Sequence, residues 1–123
     1  MIAGVGIDSI SIERVKKACQ QEAFMARCFT DRERELFWSG GCIHYERCAG
    51  NFAVKEAVSK VFGTGFRTME LRDIEVLRDE LGKPYVILLN GALQLMKEQE
   101  IKRIFVSITN TELEATAFAV GEK

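Results

Sequence analysis

Residues 45–89, YERCAGNFAVKEAVSKVFGTGFRTMELRDIEVLRDELGKPYVILL, change their period part-way along. Tyr45 to Phe62 repeats apolar residues at helical spacing, with Val54, Ala57, Val58 and Val61 on one stripe, and reads as the longest helix of the chain. Gly63-Thr64-Gly65 closes it, because a glycine takes the left-handed conformation that ends a helix without strain. Beyond it the period falls to two. Leu71 to Leu77 alternates through Ile74 and Val76, Gly82-Lys83-Pro84 makes a turn, and Tyr85 to Leu89 follows, so the two strands read as a hairpin.

Working outward, Met1 to Asp8 (MIAGVGID) reads as a short buried strand that runs into a helix cap at Ser9 and Ser11, with Asp8 at the strand's end. From Ile12 to Gln21, Ile12, Val15 and Cys19 share one helical face. Arg14, Lys17 and Gln21 share the opposite one, which predicts a basic outer stripe. Thr30-Asp31-Arg32-Glu33 matches a capping box and opens a short helix to Trp38, ended by Ser39-Gly40-Gly41. Gly91 to Gln99 reads as a helix, and Ile104 to Thr109 and Ala115 to Val120 as strands joined at Asn110-Thr111-Glu112. Helices and adjacent strands in this order predict an α+β domain spanning 1–123, with a mostly antiparallel sheet packed against helices and not a doubly wound one.

Composition narrows the function classes. A chain of 123 residues, 47% hydrophobic and 28% charged, is one soluble domain with one core and needs no disulfide or metal to fold. The net charge of -1 lacks the basic excess of a nucleic-acid binder, so charged docking must be local. Asp8 interrupts the first apolar run too early for a signal peptide or a membrane span, which predicts a cytoplasmic protein with reduced thiols. Cys19, Cys28, Cys42 and Cys48 show no metal-binding spacing and read as small apolar side chains; His44 has no recognisable partner and reads as structural.

Glu56 and Lys60 are the residues most able to carry chemistry. At helical spacing they share a stripe with Ala49, Phe52 and Ala53, away from the Val54 stripe. The pair reads either as an exposed i,i+4 ion pair or, with Asp8, as part of a metal and anion site. Mg²⁺ commonly takes one or two carboxylates and completes its shell with water and substrate phosphates, so Asp8 facing Glu56 would suffice. Gly4-Val5-Gly6 lacks the third glycine of a dinucleotide fingerprint, and Lys60 precedes Gly63-Thr64-Gly65, the reverse of P-loop order.

Three segments together resemble the holo-acyl-carrier-protein synthase family of 4′-phosphopantetheinyl transferases. They are Gly4-Val5-Gly6-Ile7-Asp8 with Arg14, then Phe52 to Lys60 with Phe62-Gly63-Thr64-Gly65, then Val106-Ser107-Ile108-Thr109. The segment from Phe24 to Thr30 with Glu33, and the Gly82-Lys83-Pro84 turn, also fit. The resemblance implies the fold of that family, a homotrimer with sites between subunits, and transfer of 4′-phosphopantetheine from coenzyme A to a serine of an apo-acyl carrier protein. It carries over Asp8 and Glu56 as Mg²⁺ ligands, with Lys60 contacting the pyrophosphate. It also implies Lys55, Ser59, Gly63, Asn51 and Asn110 as coenzyme contacts, and Arg14, Lys17 and Arg27 as the docking patch for the acidic carrier. Glu56 would take the serine proton directly or through a metal-bound water, the water being the expected route.

Two positions depart from the pattern. Relatives often have arginine at Asn51 and mostly histidine at Asn110, both associated with the coenzyme's 3′-phosphate, so weaker selection against dephospho-coenzyme A is expected, unless Lys55 or Arg47 compensates. Gln21 and Glu22 stand where relatives often carry further arginines, which predicts a retuned carrier contact. Two other readings compete: a non-catalytic coenzyme A or carrier-protein module of the same fold, which would not need the carboxylate pair, and an interaction domain whose charges are only surface ion pairs.

Overall fold

The computed structural model describes residues 1–123. β1 (Ile2–Ser11) pairs antiparallel with β7 (Glu114–Glu122), which pairs in turn with β6 (Arg103–Asn110), giving a three-stranded sheet in the order β1-β7-β6. Between β1 and β6 the chain forms α1 (Ile12–Cys19), α2 (Glu22–Cys28), α3 (Asp31–Phe37), a small hairpin of β2 (Trp38–Ser39) and β3 (Cys42–Ile43), and α4 (Tyr45–Phe62). A second antiparallel hairpin of β4 (Ile74–Arg78) and β5 (Pro84–Leu88), then α5 (Asn90–Glu98), complete the order. The fold is α+β with antiparallel pairing throughout, as the period change predicts.

α4 sits at the centre: it has no single apolar face, and most of its residues are buried, the polar Asn51, Lys55 and Ser59 among them, the pattern of a helix with neighbours on several sides. Val54, Ala57, Val58 and Val61 pack with Ile74, Val76, Val106, Ala117 and Ala119 of the strands. Cys48 and Ala49 face a second core with Val15, Phe29 and Phe37. Phe29 and Phe37 are fully buried and meet edge to face at 4.9 Å, each burial contributing about 1.5–3 kcal/mol. Gly63 ends α4 in the left-handed conformation at φ 77°, donating its N–H to the carbonyl of Ser59.

Close approach of β1 to α4 depends on glycine. A Cβ on Gly6 would lie 1.9 Å from the Ala57 carbonyl oxygen, and one on Gly4 would lie 2.5 Å from that of Val61. Any larger residue would push the strand off the helix.

Four expectations need correction. β1 continues through Ser9 and Ile10 to Ser11, so Asp8 lies within the strand and not at its end; pairing with β7 extends the strand, and Ser11 caps α1 through the N–H of Arg14. α2 was not foreseen, because Gln21 at its N-cap makes no side-chain bond and the helix is held by packing, with Phe24 stacked 6.0 Å from Phe52. The β2–β3 hairpin replaces the plain helix end expected at Ser39-Gly40-Gly41, and both glycines take positive φ. The Glu56 stripe is not a free outer face either: Ala49 and Ala53 are buried, and only its Lys60 end opens to solvent.

Candidate active site

Strand register decides which way Asp8 points. Asp8 and Ile108 both pair with Ala117, which is 1% exposed, so Asp8 lies in the row of the sheet that faces α4. Because Gly4 and Gly6 let that row approach the helix backbone, the carboxylate meets the solvent-facing end of α4. Lys60 Nζ donates to the Ile7 carbonyl oxygen at 2.7 Å and lies 3.5 Å from Asp8 Oδ1. Glu56 precedes Lys60 by one helical turn, on the same face. The two do not form the i,i+4 ion pair, since the carboxylate beside Lys60 is that of Asp8.

Burial pushes the Glu56 carboxyl above its ordinary range, the negative charge of Asp8 pushes it further, and Lys60 opposes both. Two carboxylates that repel each other at the edge of solvent fit a divalent cation between them, which would remove that repulsion. No cluster of three or more His, Cys, Asp or Glu side chains stands ready to hold a metal, so Asp8 and Glu56 would supply two ligands and leave the remaining positions to water or phosphate.

Other candidates are placed differently. Lys55 and Asn51 do not reach the site. Lys55 Nζ is buried against Glu33 Oε1 at 2.7 Å, with the carbonyls of Leu71 and Ile74 as further acceptors. Asn51 Nδ2 donates to Glu33 Oε2 and to the Val76 carbonyl, each at 3.0 Å. The physical reason is the buried Glu33 carboxylate, which needs donors that solvent cannot supply. Ser59 is also buried, its hydroxyl donating to the Glu56 carbonyl oxygen at 2.6 Å.

Gly63 is exposed just beyond Lys60, and Asn110 is exposed at the end of β6. Asn110 lines a cleft of about 230 Å³ with Arg47, Gly50 and Arg78, apart from Asp8 and Glu56. Arg14 and Lys17 are exposed on α1 and Arg27 on α2, and Arg27 lies 6.0 Å over the Phe24 ring. His44 bonds locally, to the Ser39 carbonyl and to Glu46, and all four cysteines are free.

Arg78 was missed from the sequence. Alternation through Ile74 and Val76 puts it in the same strand row as two fully buried side chains, and a cation continuing an apolar row was the available signal.

A sequence profile of the 4′-phosphopantetheinyl transferase superfamily matches residues 4–118. The chain belongs to that superfamily. Within it, the chain is 50% identical over 122 residues to the holo-[acyl-carrier-protein] synthase of Lachnoclostridium phytofermentans, covering 99% of this chain and 97% of that one. The solved structure of the synthase from Neisseria meningitidis superposes with a TM-score of 0.89 at 34% identity, covering 100% of both chains. That of Bacillus anthracis, in complex with coenzyme A (3′,5′-ADP), superposes at 0.81 with 36% identity and covers 100% of this chain and 98% of that one. This transferase-superfamily member has no helix long and apolar enough to cross a membrane.

Proposed function

We propose that the chain transfers the 4′-phosphopantetheine arm of coenzyme A to a serine of an apo-acyl carrier protein, using Mg²⁺ held by Asp8 and Glu56. The observation that carries this reading is the convergence of Asp8 from β1 with Glu56 and Lys60 from α4, in a chain half identical to a holo-acyl-carrier-protein synthase. In the reaction the serine oxygen bonds to the β-phosphorus of coenzyme A. The bond from that phosphorus to the bridging oxygen breaks, and its electron pair leaves with adenosine 3′,5′-bisphosphate.

Mg²⁺, when bound, supplies positive charge to the diphosphate oxygens. Lys60 holds the same diphosphate, with an ammonium that donates to the Ile7 carbonyl and keeps donors free. Anchoring by that carbonyl fixes the amine before the substrate arrives, which is the economy of a preorganised site. Glu56 accepts the serine proton directly or through a water. Arg14 and Lys17 on α1, with Arg27 on α2, attract the acidic surface of the carrier protein.

A homotrimer fits this reading. Register puts Val5, Ile7, Phe105 and Phe118 in the sheet face turned away from α4, and they are 54%, 57%, 49% and 44% exposed. A contiguous apolar face of that kind is covered in a stable protein, and further copies of the chain are the occupant proposed here. Reduced thiols at all four cysteines accord with a cytoplasmic location.

The test is intact-protein mass spectrometry of an apo-acyl carrier protein incubated with the chain, coenzyme A and Mg²⁺. The expected result is a phosphopantetheine mass gain that disappears with EDTA and in Asp8→Ala and Glu56→Ala. No gain with several carrier proteins, from folded protein, would overturn the transferase reading in favour of a binding module.

A further inference from the structure

Cys19, Cys28 and Cys48 meet in the smaller core, under the helices that carry Arg14, Lys17 and Arg27. The end of α1 is held against the start of α4 beside them: Gln20 Nε2 donates to Tyr45 Oη at 3.1 Å, and Lys16 Nζ lies 5.7 Å over the Tyr45 ring. Lys16 and Cys19 stand three residues apart on α1, as Tyr45 and Cys48 do on α4, so each pair shares a helical face and the two thiols meet between the helices. The Cys48 thiol donates toward Cys19, which holds the Cys19 thiol below its ordinary range, while that same bond and burial push Cys48 above it. The other acceptor of Cys48 is the His44 carbonyl oxygen at 3.6 Å, so both of its contacts favour the protonated thiol. Cys19 is only partly covered, whereas Cys48 is wholly buried. A reachable thiolate backed by a protonated thiol is the arrangement of an attacking and a resolving cysteine.

We propose that Cys19 and Cys48 form a reversible oxidation site, at which hydrogen peroxide converts the two thiols to a disulfide between α1 and α4. The Cys19 thiolate bonds to one peroxide oxygen; the O–O bond breaks, and its electron pair leaves with the other oxygen, which takes a proton to become water. The sulfenic acid left on Cys19 is then attacked by the Cys48 sulfur. The S–S bond forms, the S–O bond breaks, and the hydroxyl departs as water with the Cys48 proton. Two thiols together lose two electrons and two protons, and the peroxide is reduced to two waters. The bond ties to the central helix the element that carries Arg14 and Lys17, and its formation does not depend on the transfer reaction proposed above. Cys28 and Cys42 stand outside the pair: burial pushes the Cys28 thiol up, and Cys42 is exposed on the β2–β3 hairpin, its Sγ 3.9 Å from His44 Nε2. A cysteine pair of this kind suits a reducing compartment, where disulfides are transient and respond to oxidants.

The experiment treats the full chain with hydrogen peroxide and reads its intact mass and its peptide map without reductant. The expected result is the loss of two hydrogens, reversed by dithiothreitol, with the peptides of Cys19 and Cys48 joined. Cys42→Ser is expected to form the same bond. Cys48→Ser is expected to stop at a Cys19 sulfenic acid that dimedone traps, and Cys19→Ser to form no bond within the chain. The absence of any bond in the wild type, a bond from Cys19 to Cys28, bonds between chains alone, or oxidation that spares Cys19 overturns the proposal. Should Cys48→Ser fail to fold, the wild-type map decides the pairing by itself. Loss of transfer activity in the reduced protein would count against the transferase reading and leave the mapped bond untouched.

Discussion

Lys55 Nζ lies 2.7 Å from Glu33 Oε1, and both side chains are wholly withdrawn from solvent. Glu33 is the N3 residue of the α3 capping box, also accepting from the Thr30 N–H at 3.2 Å, while Lys55 sits in the middle of α4. Burial pushes the Glu33 carboxyl up and the Lys55 amine down, and each is opposed by the charge of the other. The pair pins α3 and the approach to β4 onto the central helix.

Removing one partner leaves an uncompensated buried charge, so Lys55→Met and Glu33→Leu should each destabilise by about 3–5 kcal/mol in urea unfolding. The double substitution should recover much of that loss. The Michaelis constant for coenzyme A of any folded Lys55→Met should stay near that of the wild type. A large rise in it without loss of stability would return Lys55 to the binding surface.

Gly6→Ala tests the contact that delivers Asp8. The clashing atom is a backbone oxygen of α4 at 1.9 Å, so rotamer changes cannot absorb it, and the cost should reach or exceed the ~1–3 kcal/mol usual for overpacking. Denaturant midpoint and Mg²⁺-dependent transfer should fall together. Retained transfer at full stability would show that β1 tolerates displacement.

For Glu56 the sign of the pH dependence follows from its raised folded pKa. As pH rises through about 4.3, an unfolded glutamate ionises while folded Glu56 still holds its proton, so stability falls across the window up to the folded pKa. Glu56→Gln should therefore melt above the wild type at pH 7, and the gap should close near pH 4. Mg²⁺ should narrow the gap at pH 7 by stabilising only the wild type. Calorimetry at the two pH values checks this, and a gap independent of pH would contradict it.

Reversing charge on α1 should act on encounter with the carrier. Arg14→Glu and Lys17→Glu should raise the Michaelis constant for apo-carrier protein several-fold, leave kcat near wild type, and lose their effect as salt increases. Titration of initial rates at two ionic strengths measures it.

Phe118→Asp places a charge on the outer sheet face opposite Ile7 and Ser107. Sedimentation should show the wild type as a trimer, the assembly proposed above, and the mutant as a monomer, with transfer lost while the fold persists by circular dichroism. An unchanged assembly would leave that face without its proposed partner copies.

Much of the architecture was legible along the chain. The period change after Phe62, the Thr30 capping box and the Gly63 stop are local signals, set by side-chain spacing and backbone conformation within a few residues, and the structure carries all three. Asp8, Glu56 and Lys60 were nameable for the same reason: each is a charge in an otherwise apolar context. What distance along the chain hides is pairing. Lys55 and Asn51 look as available as Lys60 until Glu33, far away in sequence, claims both. Arg78 is one more surface cation until the β4 row turns it toward Asn51 and Arg47.

The sequence by itself determined most of the element types, though not α2 or the β2–β3 hairpin, and with them the α+β class, the family and the charged residues on offer. Tertiary structure alone decided which of those charges stay in contact with solvent and which are consumed inside. Burial makes that choice: a charge withdrawn from water must be met by a partner from another element, and only the packing of α3, α4 and the strands says which partner arrives.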